Sequence, residues 1–176
     1  NSKFLAEAAV YQAMEEGLDA HVYRVGRLVG RGDDGTFQKN PENNAFYVFL
    51  KAIGLAGAIP KSMAKEPIEL TPVDECAKAI VALQDSNMTT LHLASPHMAQ
   101  VEEIIKLNPD IRIVEDSDYS RILKEFAQEN NGPEATPLLD YFNGQQAARQ
   151  KIEVSSMITQ NELTARGVQW KRTPVA

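Results

Sequence analysis

Apolar side chains recur through residues 2–16 at Phe4, Leu5, Ala8, Ala9, Ala13 and Met14. That three-to-four spacing predicts a helix with one buried face, and Gly17 is placed to end it in the left-handed conformation. At His21-Val22-Tyr23-Arg24-Val25 the run is short, β-branched and aromatic, which predicts a strand. Helix, glycine turn and strand make half of an α/β unit. A glycine-rich loop, Gly26 to Gly35, and polar residues to Asn44 follow. The spacing then predicts a helix over 44–56 with Phe46, Phe49, Leu50 and Ile53 on one face, closed by Ile59-Pro60. After an extended piece at 67–70, Thr71-Pro72-Val73-Asp74 reads as a helix start. Thr71 would be the N-cap, Pro72 the first helical residue, and Asp74 the charge near the positive end. This helix should bury Val73, Cys76, Ala77, Ile80, Val81 and Leu83.

A second strand is expected at 89–94, a helix at 98–107, a strand at 111–114 and a helix at 119–129. Asn130-Asn131-Gly132-Pro133 is a break, and shorter helices are expected at 137–141 and 160–165. One domain over 1–170 and a linker over 171–176 follow from this order. The strands at 21–25 and 89–94 should be parallel neighbours, joined by a crossover through 45–84, with the other helices in a smaller C-terminal lobe.

Composition narrows the partners. The chain of 176 residues is 43% apolar and 24% charged, with a net charge of -6. An acidic balance without basic clusters gives no footing on a phosphate backbone, so no nucleic-acid partner is expected. The longest apolar stretch, from Ala45 to Ile59, is broken by Lys51 and two glycines, and no membrane span or secretory signal is expected. Cys76 is the sole cysteine, consistent with a cytoplasmic setting and excluding internal disulfides. His21, His92 and His97 lack ligand spacing, so no metal site is expected. The spacing of Gly26, Gly30, Gly32 and Gly35 is not that of a dinucleotide loop and reads as a flexible turn. No Gly-x-Ser-x-Gly elbow points to a hydrolase. The chain opens on Asn1-Ser2-Lys3-Phe4, already inside a helical pattern, as a fragment of a larger domain would.

Ser2-Lys3 with Glu7, the Gly17 turn, and Tyr23-Arg24-Val25-Gly26 followed by Gly30 resemble the centre of an extended short-chain dehydrogenase/reductase. Such enzymes carry Tyr-x-x-x-Lys at the start of this helix and a strand ending in an Arg-Pro-Gly-like turn. Further along, Thr71-Pro72-Val73-Asp74 leading into Ala77-Ile80-Val81, then His92-Leu93, and a terminal Leu163-Thr164-Ala165-Arg166-Gly167-Val168-Gln169-Trp170 keep the same order. Together they are similar to the C-terminal part of the thioester reductase domains of nonribosomal peptide synthetases and carboxylic acid reductases. Val25 stands where that family often has proline.

The resemblance implies a Rossmann-like α/β fold with a mainly helical substrate-binding lobe, and a parent enzyme that reduces a carrier-bound acyl or peptidyl thioester with NADPH. It implies that Lys3 is the motif lysine, lowering the pKa of a tyrosine four residues before it and holding the nicotinamide ribose. Backbone groups of Val25 and Gly26 would lie against the nicotinamide ring. The segment from Phe37 to Pro60, with Phe37 and Phe46, would wall a channel for a phosphopantetheine arm on its carrier protein. On the residues alone, Lys3 reads as an ordinary surface lysine paired with Glu7, and Phe46, Phe49, Leu50 and Ile53 read as ordinary core; only the order of the surrounding elements points to the site. A carrier-docking module without catalysis and the C-terminal half of a sugar-nucleotide epimerase or dehydratase remain alternatives. The chain by itself should be inactive, bind NADPH weakly or not at all, and self-associate as a twofold dimer through the opening helix or an open strand edge.

Overall fold

The computed structural model describes residues 2–129 and 155–172. The break expected at 130–133 and the helix expected at 137–141 lie outside them. The described residues divide into two compact units, one drawn from 2–35, 69–97 and 155–172, the other from 36–68 and 98–129.

The first unit is an α/β layer structure. Helix α1 (Ser2–Glu15) ends where Gly17 takes φ +101°. There the Leu18 N–H donates to the Ala13 carbonyl and the Gly17 N–H to that of Met14. These two bonds cap the last carbonyls in the Schellman manner. Strand β1 (Val22–Val25) follows, and then a short strand, β2 (Leu28–Val29). Here β1 pairs in parallel with a later strand at Thr90–Leu93, Val22 opposite Thr90 and Val25 opposite Leu93. Thr71–Pro72 is not the start of a helix, as its sequence suggests, but a strand paired in parallel with β2.

The following helix spans Val73–Ala82, with Pro72 at the cap position and no side-chain cap bond. Its buried face is Glu75, Cys76, Ala79 and, just beyond, Leu83. Val73, Ala77 and Val81, expected inside, are exposed, Val81 at 65%. The small side chains of Cys76 and Ala79 let this helix pack on Leu91 and Leu93, which are fully buried. Glu75, buried beside them, takes an ion pair from the Lys78 ammonium at 2.7 Å. Leu163, from a helix over Met157–Ala165, completes this core. In that helix the Thr159 hydroxyl accepts the His92 N–H at 2.9 Å, closing the edge of the strand that faces away from β1.

In the second unit, helix Ala45–Ala56 is capped by Asn44, whose side-chain oxygen accepts from the Phe46 and Tyr47 N–H groups, each at 3.0 Å. Gly57, at φ +63°, ends it, not Ile59-Pro60. Ala58–Pro60 is instead a buried strand paired in parallel with Arg112–Val114. The helix expected at 98–107 is split into a strand, Met98–Gln100, and a short helix, Val101–Ile105. Helix Asp116–Glu129 buries Tyr119, Leu123 and Phe126 at helical spacing. Helices therefore dominate this unit, but it is built from two separate stretches, and the helix at 157–165 belongs with the first unit. Among the described residues, no helix is long and apolar enough to cross a membrane.

Leu91→Ala should cost about 2–5 kcal/mol, because it empties a closed core. Val81→Ala should stay within about 0.5 kcal/mol, as an exposed substitution does. Urea unfolding of the two variants checks the phase of the helix; equal losses would contradict it.

Candidate active site

Two side-chain bonds lay α1 across the pair formed by β1 and Thr90–Leu93. The Tyr11 hydroxyl meets the Thr90 hydroxyl at 2.7 Å, level with Val22. One turn earlier, Glu7 receives Arg24 through Nε at 3.1 Å and the terminal nitrogen at 2.7 Å. Glu7 thus serves the strand, where the sequence suggested a helix pair with Lys3. The Arg24 guanidinium holds its carboxyl below the usual glutamate value. Four helical residues advance about 6 Å and two strand residues about 6.6 Å. The steps match, so α1 runs antiparallel to β1 with its first turn, where Lys3 is exposed, directed toward the carboxyl end of the strand.

That end is tightly organised. The Gly26 N–H donates to the Leu93 carbonyl at 2.8 Å, continuing the ladder past Val25. A Cβ added to Gly26 would stand 2.5 Å from Glu69 Oε2. The Glu69 carboxylate is held there by the Arg27 N–H at 2.6 Å, by the Thr71 hydroxyl, and by the Ser95 N–H at 3.3 Å. The same Ser95 N–H reaches the Thr71 hydroxyl oxygen at 2.9 Å. With the side-chain position of Gly26 filled from behind, this turn offers a ligand its backbone and the half-exposed Val25. The loop that follows is anchored as well: the Gly32 N–H donates to Asp74 Oδ1 at 2.8 Å, which with burial working against it leaves that carboxyl below its usual range. Arg31 pushes Asp33 down to about 2.

Of the residues singled out from sequence, Lys3, Val25 and Gly26 lie in the first unit. Phe37 and Phe46 are partly buried in the second, and neither lines its open groove of about 320 Å³, which Tyr47, Val48, Lys51 and Leu55 border. Glu69, Thr71 and Ser95 were missed. Glu69 alternates with the buried Ile68 and Leu70, so its opposite facing was legible, but not what it meets. His21 and His97 spend ring nitrogens on backbone carbonyls, of Met88 and Gln84 and of Trp170. Among the described residues, no cluster of His, Cys, Asp and Glu could hold a metal.

The fold is that of an extended short-chain dehydrogenase/reductase: an α/β arrangement with parallel strands, a helix leading into β1, and a glycine turn at its carboxyl end. Residues 1–80 match the NAD-binding family described as male sterility protein. Within that class the chain is similar to reductase domains of peptide synthetases. It superposes on a thiolation-reductase di-domain from an archaeal nonribosomal peptide synthetase with a TM-score of 0.84 and 29% identity, over 99% of this chain and 37% of that one. The aureusimine-cluster reductase domain shares the fold at a TM-score of 0.77 and 24% identity, over 99% of this chain and 46% of that one. In sequence, 82 residues are 38% identical to the isonitrile lipopeptide synthase of Streptomyces coeruleorubidus, covering 47% of this chain and 5% of the synthase. The chain thus spans less than half of each of these proteins.

Gly26→Ala should destabilise the protein by about 1–3 kcal/mol, the loss expected when hydrogen bonds to a charged group are displaced. In a Glu69→Ala background the same substitution should cost much less. A double-mutant cycle by chemical denaturation measures this coupling; additive effects would mean that Glu69 does not fill the space beside Gly26.

Proposed function

We propose that this chain is part of an NADPH-dependent thioester reductase, which releases an acyl or peptidyl thioester from a phosphopantetheinyl carrier protein as an aldehyde or, onward, an alcohol. The observation that carries the reading is the registry of α1 on β1, fastened at Tyr11–Thr90 and Glu7–Arg24 so that the helix start is directed toward the glycine turn at the carboxyl end of a parallel strand. In open α/β sheets, ligands are taken outside those carboxyl ends. Similarity to the reductase domain of an archaeal synthetase over almost the whole chain supports the same reading. The nicotinamide cofactor would supply the hydride. Val25 and Gly26 would seat its ring through their backbone, and Lys3 would hold the ribose hydroxyls. The same ammonium would favour the ionised form of a motif tyrosine one turn before it, such as the resemblance implies, easing proton donation to the developing alkoxide. In the intact protein, with a carrier-bound thioester and NADPH, Lys3→Ala should reduce turnover by roughly 10²–10⁴-fold. Near-normal reduction by that variant, measured as NADPH oxidation, would remove Lys3 from the site.

Self-association of the isolated chain belongs to the same proposal. Among the described residues, β1 pairs on one side. The backbone groups of Tyr23 and Val25 face the other. Phe4 and Leu5 on α1 are 68% and 65% exposed. An open edge beside apolar side chains recruits a second chain. Light scattering after size exclusion should therefore give a dimer at tens of micromolar; a clean monomer would refute it.

A further inference from the structure

We infer that Glu69 is a positioning residue for the turn that faces the cofactor, an inference that rests on the function proposed above. Its carboxylate joins three pieces of chain that meet where both parallel strands end. It accepts the Arg27 N–H, which follows β1; the Thr71 hydroxyl, from the strand beside β2; and the Ser95 N–H, which follows the strand at 90–93. Thr71 is oriented by this arrangement: it gives its proton to Glu69, so its oxygen is left to accept from Ser95. The chain therefore leaves β1 and the strand at 90–93 at heights fixed by one side chain.

The consequence for a bound ring is steric and specific. Besides the carboxylate, the turn's backbone is held by the Gly26 N–H bond to Leu93 and by the Thr71 N–H bond to the Arg27 carbonyl, each at 2.8 Å; neither of these occupies the space behind Gly26. Remove the carboxylate, and the Arg27 N–H loses its acceptor while the space under Gly26 opens. The turn can then sink toward the vacated volume, carrying the ring's backbone platform with it. A displacement near 1 Å costs on the order of 10²-fold in a reaction that depends on alignment. Glutamine fits the same place. Its carbonyl can accept from Arg27, and its amide can donate to the Thr71 oxygen if that hydroxyl rotates away.

The test uses the intact protein with NADPH and a carrier-bound thioester, and it reads three quantities. Glu69→Ala should weaken NADPH binding several-fold by fluorescence titration and lower kcat by about 10²-fold. It should also raise the kinetic isotope effect with cofactor deuterated at the transferred position, because a misaligned hydride makes transfer slower than release. Glu69→Gln should recover most of each loss. Thr71→Val, which keeps the volume and removes the hydroxyl, should give a smaller shift in the same three readings, and it serves if Glu69→Ala does not fold. A merely structural Glu69 would lower the melting temperature while leaving affinity, kcat and isotope effect of the folded fraction unchanged; that result overturns the inference. So does a Glu69→Gln variant as impaired as Glu69→Ala. If the wild-type protein binds no NADPH at all, the underlying functional reading fails and takes this inference with it.

Discussion

The first unit depends on the parallel pairing of Val22–Val25 with Thr90–Leu93. The partners lie far apart in sequence, so the ladder forms only at the cost of closing a long stretch of chain. That cost is offset on the face where Leu91 and Leu93 are sealed by Cys76, Ala79, Leu83 and Leu163. The other face is polar in its fastenings, with Tyr11 on Thr90 and Glu7 on Arg24. One face supplies stability, and the other sets where α1 lies along the strand.

Alternation along the strands makes this division unavoidable. Leu91 and Leu93 point one way, Thr90 and His92 the other. Parallel register then puts Val22 beside Thr90 and Arg24 beside His92, on the face that α1 covers. A helix fastened at Tyr11 and Glu7 runs antiparallel to β1 and directs its first turn toward the strand's carboxyl end. The geometry of the candidate site is thus a result of how the sheet was assembled. Glu69 adds the remaining constraint, tying the chain that leaves each strand into one hydrogen-bonded knot.

Much of this was legible in the sequence. Gly17 announced the end of α1, the helix at 44–56 was expected within one residue of its start, and the two strands stood out by alternation with β-branched and aromatic residues. The phase of the helix after Thr71 was not legible, and the reason is local. Thr71-Pro72-Val73-Asp74 has the residues of a capped helix start, but the Thr71 hydroxyl is claimed by Glu69, and Thr71–Pro72 extends beside Leu28–Val29. Hydropathy favoured burying Val73, Ala77 and Val81, whereas close packing on Leu91 and Leu93 favoured the smaller Cys76 and Ala79. At the site, Lys3 and the Val25–Gly26 turn could be singled out by order and resemblance. Glu69 and Ser95 could not, because their meeting depends on which strands pair.

The central proposal is that the nicotinamide sits against the turn at Val25–Gly26, with Lys3 holding its ribose. A crystal structure of the intact protein with NADP⁺ bound tests it most directly. In that complex the ring should lie against the Val25 and Gly26 backbone, with the Lys3 ammonium within hydrogen-bond reach of the ribose hydroxyls and Glu69 still behind Gly26. A nicotinamide ring bound away from the carboxyl end of β1, or Lys3 turned to solvent in that complex, would contradict it.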